Sequence, residues 1–343
     1  MALWMVRAGR HGEDENAALE KGLVIVGWHE MPDISKVRSY AEMKRKHAEV
    51  YPDMSPSAVN NHAAQAWAFS QRIDKGDLVV LPLKTRSLIA IGKIKGDYQY
   101  LDGRHVRKVE WLKENIPRTT FGQDLLYSFG AFMTVCQIKR NNAEERVKAI
   151  LAGKPDPHRQ GKAAKKDMST DSNIVTDDDT EGFVDLEEQA VDQIRRLIQA
   201  RFGGHNLTRL VEAILQVQGY QTYRSPEGPD GGIDILAGFG PMGFDKPRIC
   251  VQVKSGGVQN DAAIRELEGV MSRVGAEQGL FVSWDGFNKT ALANTSGLFF
   301  KVRLWDDKKI IFNLLSSYAD LPDEIQAELP LKRIWVMVPD DDS

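Results

Sequence analysis

Short apolar runs, each bounded by glycine, proline or charge, set the plan of this chain. In the first half, residues 3–9, 23–28, 77–82 and 88–94 are rich in Val, Ile and Leu and have strand length, so they predict strands. Residues 105–112 alternate apolar and polar as a half-exposed strand does, and 132–138 closes the set. Between the second and third runs, a helical stretch ends in Ala63–Phe69. Many short strands with helices in the connections predict a small β-barrel. The second half changes period. Residues 185–202 place Leu186, Ala190, Val191, Ile194, Leu197 and Ile198 on one helical face, and 207–217 do the same with Leu207, Leu210, Val211, Ile214 and Leu215. Strands at 233–236 and 249–254 follow, then an amphipathic helix over 260–274, strands at 279–284 and 299–305, and an apolar tail, 329–338, that reads as a last strand. Such alternation predicts an α/β domain with a central mixed sheet flanked by helices.

A chain of 343 residues exceeds the usual size of one domain, so two folded units are expected. The division falls at 151–184, a stretch nearly without bulky apolar side chains, basic at first and then acidic. It cannot bury enough surface to offset its ordering entropy and is expected to be a flexible linker between domains at 1–150 and 185–343. Composition is otherwise that of an ordinary globular protein, and no apolar run approaches the roughly 18 residues of a membrane span. The first residues lack the apolar core and cleavage site of a signal peptide. The two cysteines, Cys136 and Cys250, sit in predicted strands, which argues for a reducing, cytoplasmic compartment and against a zinc or disulfide framework. A net charge of −3 means that any nucleic-acid contact must use local positive charge.

Polar groups inside two otherwise apolar runs carry the candidate chemistry. Asp234 lies between Ile233 and Ile235, and Gln252 and Lys254 stand two apart beside Val251 and Val253. Residues i and i+2 of a strand share a face, so Gln252 and Lys254 project together, and strand pairing can bring Asp234 alongside. Polar groups in buried strands are costly and usually have a task. An acid for a metal and a lysine for developing charge suit phosphodiester hydrolysis. The bland alternative is a structural Asp234–Lys254 ion pair. Asp230 competes as the acid, although before Gly231 and Gly232 it also reads as a turn cap. Ser283, Asn288 and Lys289 are weaker candidates for phosphate contact, with turn capping as the default.

This pattern resembles the PD-(D/E)xK nuclease superfamily, and within it the Mrr-like restriction endonucleases. The resemblance spans roughly residues 186–315. It rests on the helix Leu207–Leu215, the pair Gly219-Tyr220, the loop Pro229-Asp230-Gly231-Gly232, Asp234, and Gln252-Val253-Lys254 as a QxK variant. It implies a Mg²⁺-dependent endodeoxyribonuclease, with Mn²⁺ as an alternative ion. Asp234 and the Val253 carbonyl would hold the metal, Gln252 would add a neutral oxygen, and Lys254 would orient water and stabilise the transition state. The family's helix acid falls near Thr208, which is not an acid; Glu212 is the substitute candidate.

The first half is similar to PUA-like domains of the EVE type, through Gly27-Trp28, Gly76-Asp77-Leu78-Val79-Val80, Ile91–Tyr98 and Val106–Trp111. That resemblance implies recognition of a flipped, modified base, which needs stacking and edge-reading groups. Trp28, Trp67, Tyr98, Tyr100 and Trp111 are the candidate aromatics, with core packing the rival role for Trp28 and Trp111. Arg7 is a candidate pocket component, and Lys93, Lys95, Arg104, His105, Arg107 and Lys108 are candidate backbone contacts. Together these point to a modification-dependent restriction endonuclease acting on double-stranded DNA, with modified cytosine as the expected mark. Two-strand cutting implies a homodimer or higher oligomer. The alternatives are a defence effector gated by a small nucleotide, a nuclease of RNA or single strands, and a catalytically idle binding module.

Overall fold

The computed structural model describes residues 1–131, 133–158, 185–226 and 232–336. Two compact units emerge, Met1–Gln189 and Ala190–Trp335.

The first unit is built on β1 (Leu3–Val6), α1 (Glu15–Lys21), β2 (Leu23–Val26), α2 (Tyr40–Val50), α3 (Pro56–Trp67), β3 (Leu78–Pro82), β4 (Leu88–Leu101), β5 (Arg104–Pro117), α4 (Gln123–Phe129), β6 (Val135–Gln137) and α5 (Ala143–Leu151). Its strands form one mixed sheet in the order β2-β5-β4-β3-β1-β6. Only β1 and β3 pair in parallel. The closed barrel expected from the sequence is therefore not what the described residues form. The ladder is open, because β2 pairs only with β5 and β6 only with β1. Register shifts between β4 and β5 mark bulges, which bend and twist a long hairpin without closing it. The predicted strand 132–138 contracts to β6, and Phe132 lies outside the described residues. The expected linker also differs where it can be followed. Asp156 is buried, accepting from Arg146 at 3.0 and 2.8 Å and from the Gly122 N–H at 2.6 Å, so chain just beyond α5 packs onto the first unit. Residues 159–184, the rest of that linker, lie outside the described residues.

The second unit comprises most of α6 (Leu186–Arg201), then α7 (Asn206–Val217), β7 (Gln221–Arg224), β8 (Ile235–Phe239), β9 (Asp245–Lys254), α8 (Asp261–Val274), β10 (Gln278–Ser283), α9 (Lys289–Thr295), β11 (Val302–Trp305), α10 (Asp307–Ser317) and α11 (Asp323–Glu328). The sheet runs β11-β10-β9-β8-β7; β9, β10 and β11 are parallel, and β8 is antiparallel to both β7 and β9. This is the expected mixed sheet between helices. Ile235, Val251, Leu280 and Val282 face a core filled by Leu210, Val211 and Ile214 of α7, Ile310 and Leu314 of α10, and Ile325 of α11. Cys250 and Phe281 face the opposite core, with Ile264, Leu267 and Met271 of α8. Local signals agree with these elements. The Asn260 side chain caps α8 by accepting from the Ala263 N–H, and Gly275 ends it in the left-handed region at φ 68°. The predicted last strand is absent among the described residues: 331–336 pair with no strand, and Ile334 and Trp335 are exposed. Met337 and Val338 lie outside the described residues.

Candidate active site

β8 and β9 position the polar trio. Their register, Ile235 opposite Val251 and Leu236 opposite Cys250, puts Asp234 level with Gln252 at the end of the pair. Asp234 sits one residue before β8. Its N–H donates to the Val251 carbonyl at 3.0 Å, and its Oδ2 accepts from the Val253 N–H at 2.9 Å. By strand alternation Asp234, Gln252 and Lys254 lie on the same side of the sheet as Leu236, Cys250 and α8. Gln252 is 6% exposed, whereas Lys254, at the strand end, is exposed to solvent.

Gln252 is the least satisfied member. Its Oε1 is buried and has no hydrogen-bond partner among the described residues. An orphaned buried acceptor costs about 1–3 kcal/mol. Gly232 adjoins the other end of the amide: its φ is +86°, and a Cβ there would stand 3.7 Å from Gln252 Nε2 and 3.5 Å from Val270 Cγ2. Asp230 and Gly231 of the same loop lie outside the described residues. Beside the trio, burial pushes the Cys250 thiol up to about 11, opposed by Arg273 and reinforced by Asp234, so this cysteine is a packing residue and not a nucleophile.

Glu212 is not brought to this group. It projects from α7, which packs on the other face of the sheet. There its carboxylate accepts from Thr222 Oγ1 at 3.1 Å and stands 3.4 Å from Arg224 Nε, tying α7 to the edge strand β7. Thr208, where the family pattern has its acid, is buried in the same helix. Among the described residues no cluster of three or more His, Cys, Asp or Glu is arranged to hold a metal. The available donors are instead a carboxylate, a side-chain amide and backbone carbonyls, an all-oxygen set that fits a hard cation such as Mg²⁺ or Mn²⁺. The orphaned Gln252 oxygen is the observation that supports the fit. Ser283 and Asn288 take the bland roles: Ser283 Oγ donates to the Gly286 carbonyl at 2.8 Å, and Asn288 caps α9.

In the first unit, three of the candidate aromatics converge on a residue of lesser prominence in the sequence, His105. Tyr100 lies 5.0 Å, Trp28 5.9 Å and Tyr98 5.9 Å from its ring, and Phe69 meets Trp28 and Tyr98 edge-on. His105 Nε2 faces the Met31 carbonyl at 3.0 Å and must carry the proton there, so Nδ1 accepts from the Tyr98 hydroxyl at 2.8 Å. Burial holds this imidazole below its ordinary range, hence neutral. Only the cross-strand register, with Tyr100 opposite His105, reveals the grouping. Trp67 packs in a neighbouring cluster that Trp28 and Tyr98 also touch.

The remaining candidates go elsewhere. Trp111 donates its indole N–H to the Ala18 carbonyl at 3.0 Å. Arg107 is buried, and its guanidinium donates to the carbonyls of Phe69, Gly96 and Ser70 at 2.6, 3.2 and 3.0 Å. The π-helical turn Ala68–Arg72 leaves carbonyls that need donors, and Arg107 supplies them, so it does not face a phosphate. Arg7 is buried against Glu188 at 2.9 Å. Burial alone would raise that carboxyl, but Arg118 and Arg7 hold it below its usual range. Lys95 pairs with Glu110 across the hairpin, and Arg104 with Asp14.

Two family models match the chain. Residues 4–127 match a domain of unknown function (DUF8426), and residues 199–313 match a restriction endonuclease family, Mrr_cat. No curated protein matches. Among solved structures, the DNA modification-dependent restriction endonuclease AspBHI is 13% identical, with a TM-score of 0.33, over 79% of this chain and 72% of that one. MspJI restriction endonuclease, in complex with a 27-mer oligonucleotide, is 12% identical, with a TM-score of 0.30, over 96% of this chain and 80% of that one. These two likenesses are too loose to carry an argument. The family match is of another kind: residues 199–313 are similar to a restriction endonuclease domain, and the match brackets the strands that present Asp234, Gln252 and Lys254.

Proposed function

We propose that this chain is a metal-dependent DNA endonuclease of the modification-dependent restriction type, cutting phosphodiester bonds of foreign duplex DNA. The observation that carries the catalytic part is the meeting of Asp234, a buried Gln252 oxygen without a partner, and solvent-facing Lys254 at one end of β8 and β9. Asp234, Gln252 and the Val253 carbonyl would hold the ion. A bound Mg²⁺ or Mn²⁺ would polarise the scissile phosphate and make a nearby water more acidic. Asp234 is steadied for the task by the Val253 N–H. Gln252 supplies a neutral oxygen where an acid is more usual, which leaves the site less negative and its hold on the ion weaker. Lys254 places an ammonium where charge builds up on the phosphate oxygens and helps to orient the attacking water. Cutting both strands calls for two such sites, and a homodimer or larger oligomer supplies them.

The N-terminal unit is proposed to read the mark. The aromatic group of Trp28, Tyr98 and Tyr100 around neutral His105 offers ring faces for stacking and hydrogen-bonding edges, the chemistry a flipped modified cytosine requires. The test is cleavage of matched duplexes carrying cytosine, 5-methylcytosine or 5-hydroxymethylcytosine, with Mg²⁺. Cutting confined to a modified duplex is expected. Equal cutting of all three would remove the reader and keep the nuclease. No cutting, even with Mn²⁺, would favour a ligand-gated effector or an idle binding module.

The orphaned amide makes a separate prediction. Gln252→Leu removes a buried oxygen that has no partner among the described residues, so in chelator the variant should melt at the same temperature as the parent or higher. Cleavage by the same variant should fall at least tenfold, with the Mg²⁺ requirement shifted to higher concentration. A clearly lowered melting temperature would mean that Gln252 holds the fold together and is not kept for a ligand.

A further inference from the structure

The basic residues of the β4–β5 hairpin are the obvious place to look for contact with the DNA backbone, yet most are spent. Lys95 is paired with Glu110, Lys75 near the hairpin with Asp97, and Arg104 with Asp14; Arg107 is buried on carbonyls. A different group is not compensated in this way. Lys36, Arg38, Lys44, Arg45 and Lys46 fall within eleven residues, and Glu42 is the only acid among them. Of these cations only Arg45 has a carboxylate partner among the described residues, Glu49 at a loose 3.9 Å. Arg38 donates to the Ser35 carbonyl at 3.1 Å, Lys46 to the Asp33 carbonyl at 3.2 Å, and Lys44 lies 5.7 Å from the Tyr40 ring. Two acids of the segment take local hydrogen bonds and, among the described residues, no cation: Glu42 accepts from the Arg38 N–H at 3.0 Å and Asp33 from the Ser35 N–H and hydroxyl at 2.8 and 2.9 Å.

The same segment borders the aromatic group. Lys46 holds the carbonyl of Asp33, and the next N–H, that of Ile34, donates to the Tyr98 hydroxyl at 3.4 Å, which in turn meets His105. Clustered like charges repel one another and weaken the compact state unless a partner relieves them. A duplex supplies about one negative charge per 1.7 Å of its axis, and a chain with net charge −3 can engage it only through local positive charge.

Building on the reading of the first unit as the DNA-recognising part, we propose that Lys36, Arg38, Lys44, Arg45 and Lys46 form the surface that grips the duplex phosphate backbone beside the aromatic site. The surface reads no sequence. It fixes the position of the duplex so that a base can be presented to the rings.

The salt dependence of binding tests this. The full chain would be titrated against a short unmodified DNA duplex in chelator, by fluorescence anisotropy, over a range of NaCl. The triple variant Lys36→Gln/Lys44→Gln/Arg45→Gln should lower the slope of log K against log salt by about 2 to 3, at about 0.9 per lost phosphate contact. The double variant Lys36→Gln/Arg45→Gln alters only two side chains, both exposed, and should lose about 2, which guards against a folding defect in the triple. A control triple, Lys21→Gln/Lys148→Gln/Lys154→Gln, removes equal charge at other exposed sites of the unit and should leave the slope nearly unchanged. An unaltered slope in the double and triple variants, or an equal drop in the control, overturns the assignment while the nuclease reading stands, provided the parent binds and cuts. A parent chain that shows no salt-sensitive binding to the duplex overturns both. Tighter binding to an RNA duplex than to DNA would replace DNA as the partner.

Discussion

Lys254→Ala is expected to lower the rate of duplex cleavage by about 10²–10³, and Asp234→Asn by about 10³ or more, with both proteins folded as the parent is. The two substitutions should fail differently. Lys254 lies exposed at the end of β9 and is expected to act on charge that develops only in the transition state. Its loss should reduce kcat and leave the Mg²⁺ requirement nearly where it was. Asp234 is proposed to hold the ion, so its amide variant should also weaken metal binding, which calorimetric titration with Mg²⁺ or Mn²⁺ can follow without any cleavage. Asparagine keeps an oxygen able to accept from the Val253 N–H, so the local bond at 2.9 Å need not be lost. Lys254→Arg separates a point charge from a particular geometry: partial activity is expected, because a guanidinium keeps the charge but not the compact ammonium. Full activity of Lys254→Ala would remove this lysine from the mechanism. Unchanged metal binding by Asp234→Asn would do the same for the metal site.

How much of this was legible in the sequence varies with the kind of signal. Asp234 and the Gln252–Lys254 pair stand out because polar residues interrupt apolar strands, and the β8–β9 register then brings them level. The sequence could not tell which side of the sheet a helix residue reaches. Glu212 follows the apolar stripe of α7 closely, yet that stripe packs on the face opposite the trio, and Arg224 and Thr222 engage its carboxylate. The aromatic group had the converse difficulty. Trp28 is far in sequence from Tyr98 and Tyr100, and their meeting point, His105, looked like one more basic residue until strand pairing set it opposite Tyr100. Arg107 shows a limit of composition: a cation in a β-hairpin suggests a phosphate, but a π-helical turn with unpaired carbonyls claims it first. The open sheet was hidden for a related reason. Apolar runs predict strands one at a time, whereas closure depends on whether the first and last strands of the ladder pair, and β2 and β6 do not.

Arg195→Met is expected to destabilise the second unit by about 3–5 kcal/mol without touching the chemistry. Arg195, on α6, is almost wholly buried and bridges Asp192 on the same helix and Asp307 in the first turn of α10, both also buried. Removing the guanidinium takes the Arg195 cation from two carboxylates in a region that water barely reaches, and buried charge that loses its counter-ion costs far more than the pair itself contributes. Urea unfolding would show it as a shift of one transition to lower denaturant. With two compact units, a second transition belonging to the N-terminal unit should stay in place. Two companion variants separate charge from shape. Arg195→Lys keeps a cation that reaches one carboxylate but lacks the fork that engages both, and should recover only part of the loss. The triple variant Asp192→Leu/Arg195→Met/Asp307→Leu removes all three charges, and should recover most of it despite the loss of the Asp307 charge from the first turn of α10, which Asp306 still caps. α6 and α10 back the face of the sheet opposite Asp234, Gln252 and Lys254. Cleavage by Arg195→Met at low temperature should therefore match the parent per folded molecule and fail early on warming. Parent-like unfolding of Arg195→Met would mean that solvent or backbone groups neutralise the two carboxylates, and that the buried bridge contributes little to holding α6 against α10.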